Sequence, residues 1–170
     1  MHHYSLKWLC LYNARKRHLP TVIIGDMMNK THVQASLTLD AALLMAKAAI
    51  DKGNELGIKI NVVVVDSAGH RLVSLREPGA PMPSMDYAEK KAYTAVHFKR
   101  STDKWAEALE GQAVLANGLA QHEKVALFGG GLPAWVDSVV VGAVGVSGGK
   151  VAEDIACAEA ALMILSDGDS

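Results

Sequence analysis

Three consecutive glycines, Gly129, Gly130 and Gly131, interrupt the apolar stretch KVALFGGGLPAWVD at residues 124–137. Glycine weakens a strand and is kept where φ must be positive or where another group must come close to the backbone. Successive glycine amides can also form a nest for an anion or a carbonyl oxygen. Lys91 borders the apolar face of a predicted helix, so its stem can lie against the core while its ammonium reaches a pocket rim. Arg76 ends a predicted strand just before a Pro-Gly loop, a position suited to a ligand-facing cation. Glu153 and Asp154 open the last predicted helix, where negative charge complements the helix dipole. Facing the glycines instead, the same pair would hold a cation or act as a general base. Taken together, the glycine amides, Arg76, Lys91 and the acidic pair could bind a carboxylate or carbonyl substrate, polarise it and remove a proton. Glu153, Asp154 and Lys91 are the catalytic candidates of that reading.

Other short motifs are weaker. GVSGG at 145–149 has the spacing of a nucleophile elbow between strand and helix, but the histidine of such a hydrolase follows its serine and the last histidine here is His122. The same stretch is one residue short of a phosphate loop and has no Ser or Thr after Lys150. Ser147 and its glycines read as the turn into the last helix, whose first amides could hold an anion. No histidine has metal-ligand spacing, and no metal site is expected. His70 stands in a turn, and His97 shares the polar face of its helix with Asp86, Lys90, Tyr93 and Arg100; each reads first as solvated and second as an axial donor to an iron porphyrin. Asp66, after four valines, reads as a turn former.

The elements that must position these residues follow from periodicity. Leu39, Ala42, Leu43, Ala46, Ala49 and Ile50 make one helical face, with Thr38 as N-cap and Gly57 as stop. KINVVVVD (59–66) is a buried strand and RLVSLRE (71–77) its hairpin partner. Ser84 is expected to cap a helix running to about Phe98, and STDKWAEALE gives a short helix. Residues 111–122 read as a connection, KVALF as a strand, PAWVD and VVVGAVGVSG as a hairpin about Asp137-Ser138, and 151–165 as a final helix. Strands and helices do not alternate as in a dinucleotide-binding chain. The expected fold is an α+β sandwich of five strands, mainly antiparallel.

Composition narrows the functional classes. Of 170 residues, 50% are hydrophobic and 21% charged, which suits one globular domain and excludes a disordered chain. Residues 1–27 carry Lys7, Arg15, Lys16 and Arg17 against Asp26, while 28–170 hold 13 basic and 17 acidic residues. A mildly acidic domain without basic clusters is a poor nucleic-acid binder. The first segment is too short and interrupted for a signal peptide or membrane span, so no membrane partner is expected. Two unpaired cysteines, Cys10 and Cys157, suit a reducing cytoplasm.

The stretches VVVVDSAGHRLVSLREPGAPMPSMDYAEKKAYTAV and FGGGLPAWVDSVVVGAVGVSGGKVAEDIACAEAAL, in that order and spacing, resemble the GlcG/HbpS family of haem-binding or haem-degrading domains from about Leu37 to Leu165. The family pattern falls on Asp66, Gly69, Arg76, Gly79, Ala80, Ser84, Lys91, Ala92, Thr94 and Ala95, then on Gly129 to Pro133, Gly142 to Gly148 and the Glu153/Asp154 pair. Ser138 departs from it, where relatives often have Gly. The resemblance implies a profilin-like α/β/α sandwich that assembles into homo-oligomers of four or more chains. It implies a small-ligand-binding accessory protein, with haem or a related tetrapyrrole as ligand, associated with glycolate or diol and glycerol utilisation. A related domain ends some cobalamin adenosyltransferases. On this view Arg76, Ser84, Lys91, Gly129, Gly130, Gly131 and Ser147 are the ligand-binding candidates, and no motif residue is a shared haem ligand. A small-molecule enzyme with the GGGLP loop as anion site stands beside this reading.

Residues 1–27 have neither a periodic apolar face nor a counterpart in that family, and they read as an extension preceding a domain at 28–170. A chain beginning at Met28 should match the full chain in melting temperature and assembly size, measured by calorimetry and light scattering. A loss of several degrees, or of assembly, would show that the extension packs on the domain.

Overall fold

The computed structural model describes residues 32–166; the expected extension, 1–27, lies outside them. From Gln34 onward the described residues form one compact unit. Its elements, in order, are α1 (Leu39–Glu55), β1 (Asn61–Asp66), β2 (Arg71–Arg76), α2 (Pro83–Phe98), a 3-10 turn (Thr102–Lys104), α3 (Trp105–Ala108), α4 (Ala113–Ala120), β3 (Gly131–Val136), β4 (Val139–Ser147) and α5 (Val151–Met163). The sheet has four strands in the order β2-β1-β4-β3, each antiparallel to its neighbour.

The four valines of β1 explain the layering. A strand presents alternate side chains to opposite faces, so a central strand covered on both sides is apolar throughout. Val62 and Val64 pack with Ala42, Met45, Ala46 and Ala49 of α1 and with Cys157, Ala158 and Ala161 of α5. Val63 and Val65 pack with Ala88, Ala92, Ala95 and Val96 of α2. The result is α1 and α5 on one face and α2 on the other. Thr38 caps α1 as expected, its Oγ1 accepting from the Ala41 N–H at 3.2 Å, and Gly57 follows the helix at φ +70°. Leu39 and Leu43, placed by periodicity on the buried face of α1, are instead exposed. Asp137 and Ser138 turn the last hairpin at φ +48° and +63°, so a residue other than Gly is accommodated at 138.

Three expectations are corrected. The fifth strand, KVALF, does not form: the Ala126 N–H donates to Thr94 Oγ1 of α2 at 2.9 Å instead of to a strand, and the chain enters the sheet only after Gly130 turns it at φ +112°. Residues 113–120 of the expected connection are helical, an alanine- and leucine-rich turn pair none of whose residues is buried. Ser84 does not cap α2; Pro83 occupies the first turn, and Met82 stands at the N-cap without a side-chain hydrogen bond.

The α2 layer lies so close to β4 that Gly145 has no room for a side chain. A Cβ there would stand 2.0 Å from the Ala88 carbonyl oxygen and 2.6 Å from the Ala92 nitrogen, both backbone atoms that cannot swing aside. Gly145→Ala should therefore cost at least about 2 kcal/mol in urea unfolding by overpacking. A change below about 0.5 kcal/mol, the range of ordinary surface substitutions, would show that the helix can lift freely.

Candidate functional site

The three glycines face three different walls. A Cβ on Gly129 would meet Ile155 Cδ1 at 2.7 Å and Val151 Cγ1 at 2.9 Å, both on α5. One on Gly131 would meet the Lys91 carbonyl oxygen of α2 at 2.4 Å. One on Gly130 would meet the Val146 carbonyl oxygen at 2.7 Å, Lys91 Nζ at 2.8 Å and Asp154 Cβ at 2.9 Å. The chain is thus threaded between the two helical layers, and the space beside Gly130 is filled by a lysine head. The Gly131 N–H donates to Thr102 Oγ1 at 2.9 Å, and the Gly130 carbonyl oxygen accepts from the Val146 N–H at 2.8 Å.

Lys91 does not reach a pocket rim. Its side chain is 1% exposed, and Nζ donates to Asp154 Oδ2 and to the Val146 carbonyl oxygen, each at 2.8 Å, with the Phe128 ring centroid 4.9 Å away. Burial pushes the Lys91 ammonium below its usual range, and its ion pair with Asp154 only partly offsets this. Burial likewise pushes the Asp154 carboxyl up against the pull of Lys91 and of the Gly149 N–H. The acidic pair divides its work: Asp154 faces the glycines and holds a cation, Lys91, whereas the Glu153 carboxylate accepts from the Lys150 N–H at 2.7 Å as a helix cap. The Gly149 and Lys150 N–H groups, just before α5, donate to these two acids.

The remaining candidates lie elsewhere on the sheet. Arg76 is exposed at the end of β2, and its Nη2 donates to the Ala80 carbonyl at 2.8 Å, holding the Pro-Gly loop. Register places Arg76 opposite Asn61, and Asn61 opposite Ser147, so Arg76 and Ser147 lie two strands apart, about 10 Å. Ser147 is buried at the end of β4, and Ser84 is half-buried in the first turn of α2. Lys91, Asp154 and Gly130 come together; Arg76 and Ser84 do not join them in one open site.

An open site exists on the other side of α2. A cleft of about 510 Å³ lies between Tyr93, His97, Lys90, Asp86 and Glu89 of α2, the turn Ala68–His70 and the loop residues Glu123 and Lys124. A second hollow of about 460 Å³, sharing Lys90 and Glu123, is walled by Tyr87, Phe128, Val125 and His122. Tyr93 is the centre of the first: its ring lies 4.2 Å from that of His97 and 6.4 Å from that of His122, and Lys124 Nζ stands 5.7 Å over it. Burial, with the Lys124 charge beside it, holds the His97 imidazolium below the ordinary histidine range. The loop is tied down by Thr94 beneath Ala126 and by the edge-on Tyr87–Phe128 pair at 5.5 Å. Periodicity reads this helix face as solvated; only the fold of 120–128 across it makes a cleft. Among the described residues no group of three or more His, Cys, Asp or Glu side chains is placed to hold a metal ion, and no helix is long and apolar enough to cross a membrane.

The buried pair generates a pH-dependent expectation. Lys91→Met leaves the Asp154 carboxylate without its cation and should cost about 3–5 kcal/mol near neutral pH. With Asp154 raised further above its unfolded value, the folded state binds the extra proton, so the variant is least impaired at acid pH and loses stability as pH rises through the folded pKa. Lys91→Met combined with Asp154→Leu should recover most of the loss. Urea unfolding at pH 5 and pH 8 reads all three proteins; a single variant indifferent to pH, or a double variant no better than the single, would contradict a coupled pair.

The sequence matches the model of the haem-degrading protein HbpS-like family over residues 37–163. An uncharacterised 15.0 kDa protein of the dhaT-dhaS intergenic region of Citrobacter freundii is 38% identical over 82% of this chain and 99% of its own length. The crystal structure of the Klebsiella pneumoniae protein ORFY superposes with a TM-score of 0.75 at 35% identity, covering 81% of this chain and 95% of that one. A PduOC structure solved as a haem complex superposes with a TM-score of 0.71 at 31% identity, covering 76% and 95% respectively. Extent of match, identity and superposition agree, and the chain belongs to the HbpS-like family.

Proposed function

We propose that this chain is a cytoplasmic, small-ligand-binding accessory protein whose ligand is haem or a related tetrapyrrole, held in the cleft on the outer face of α2. The observation that carries this reading is the donor set of that cleft. An iron porphyrin asks for an axial donor, cations for its carboxylates and apolar or aromatic walls. His70 and His97 supply imidazole nitrogens, Lys90 and Lys124 supply ammonium groups beside the carboxylates of Asp86, Glu89 and Glu123, and Tyr93, with Tyr87 and Phe128 in the adjoining hollow, supplies aromatic surface. The residues fit the group. A haem complex of a relative 31% identical to this chain supports haem as the ligand class. Bound haem supplies a redox-active iron; the protein's part is to hold, orient and shield it. The reading as an enzyme at the glycine loop asks for a reachable Lys91 or Asp154, and both are buried and mutually satisfied.

The accessory role in glycolate or diol and glycerol utilisation rests on family resemblance. A homo-oligomer of four or more chains belongs to the same proposal. Its support is the exposed apolar surface of the edge hairpin (Trp135, Val136, Val139) and of α4 (Val114, Leu115), a load that a monomer rarely leaves in water. A cytoplasmic setting suits Cys157, a buried thiol whose pKa burial pushes up to about 11.

Titration of the full chain with haemin should give a saturable Soret shift at one haemin per chain. Reversing both cations, Lys90→Glu with Lys124→Glu, should weaken binding at least about tenfold, since each ammonium lost to a partly desolvated carboxylate is worth about 1.5–3 kcal/mol. Light scattering on the same sample should report four or more chains. No Soret shift in the wild type, or an unchanged titration in the double variant, would overturn the site.

A further inference from the structure

Three histidines border the two hollows among the described residues, and their hydrogen bonds distinguish them. His122 Nδ1 accepts from the Lys124 N–H at 3.2 Å, so its neutral ring carries the proton on Nε2. His97 Nε2 is packed against Gly69, where an added Cβ would stand only 2.5 Å from it. His70 is arranged the opposite way. Its Nδ1 lies 3.2 Å from Asp66 Oδ2, and its side chain is 81% exposed at the cleft mouth. A carboxylate beside Nδ1 holds the proton there and leaves the Nε2 lone pair free, the arrangement that orients metal-ligating histidines and raises their basicity.

The carboxylate is itself fixed. Asp66 Oδ1 accepts from the Ala68 N–H at 2.9 Å and from the His70 N–H at 2.8 Å. The turn is closed by the Asp66 N–H donating to the His70 carbonyl at 2.8 Å, and Gly69 takes φ +84° so that His97 can pack beneath it. The turn needs the Oδ1 bonds and Gly69 for its own shape; the Oδ2 contact with His70 Nδ1 is additional to it and orients the ring.

Resting on the haem-binding reading above, we infer that His70 Nε2 is the axial donor to the iron and that Asp66 is the positioning residue that sets its tautomer, with His97 packing the turn from below. The test is haemin titration of the full chain, read by Soret position, by electron paramagnetic resonance of the ferric form and by affinity. His70→Ala should lose the histidine-ligated spectrum, and added imidazole should restore it. Asp66→Asn keeps an oxygen for the two turn N–H groups but replaces the acceptor for His70 Nδ1. It should retain the fold by thermal melt, shift the ligated spectrum and weaken haemin about tenfold. A His70→Ala protein with the wild-type spectrum, or an Asp66→Asn protein identical to wild type, would overturn the assignment while leaving haem binding intact. A wild type that binds no haemin would instead overturn the reading beneath it.

Discussion

A lysine ammonium with almost no solvent contact ties the layers of this fold together. Lys91 comes from the α2 layer and Asp154 from the α5 layer on the opposite face of the sheet, and they meet at 2.8 Å beside Gly130. The Val146 carbonyl of β4 takes a second bond from the same ammonium. Removing two charges from water costs several kcal/mol each, and their attraction repays this only when geometry and the remaining hydrogen bonds are good. Such a pair is therefore better understood as a fixer of one arrangement than as a source of stability. It accounts for the glycine run: a side chain at 130 would occupy the ammonium's place, and side chains at 129 and 131 would separate the helices it joins.

Fixing the inner face of α2 fixes the outer one. Residues 88, 91, 92 and 95 turn inward, so 86, 90, 93 and 97 must turn outward, three or four residues apart along the helix. One helix thereby carries a buried lysine that is spent on structure and, one residue earlier, a lysine that lines an open cleft. Phe128 couples the two sides, since its ring stands 4.9 Å from the Lys91 ammonium and packs edge-on against Tyr87 of the second hollow. The loop that closes the cleft is in this way anchored to the core pair.

Much of the fold was legible because its signals are local. Four consecutive valines between turn residues mark a strand covered on both faces, and Thr38 and Gly57 bracket α1 by their own cap chemistry. The fifth strand was misread because KVALF has strand composition while its hydrogen-bond partner is a threonine thirty-two residues earlier in the chain. Lys91 reads from sequence as a rim residue because a sequence shows that a lysine borders an apolar face and not that an aspartate waits on another helix. The cleft was illegible for the same reason. Tyr93, His97 and Lys90 form a polar stripe in any helical projection, and only the return of 120–128 over it makes a site. Asp66 was identified as a turn former, which it is; its grip on His70 Nδ1 depends on the turn's three-dimensional closure.

In the proposed function the Lys91–Asp154 pair and its glycines serve the fold, and the outer face of α2 holds the ligand. Amide hydrogen exchange of the full chain with and without haemin measures this directly. Added protection is expected at 68–70, 86–97 and 120–124, with 129–131 and 147–154 unchanged. Protection concentrated at the glycine run and the start of α5, with the α2 cleft unaffected, would contradict it.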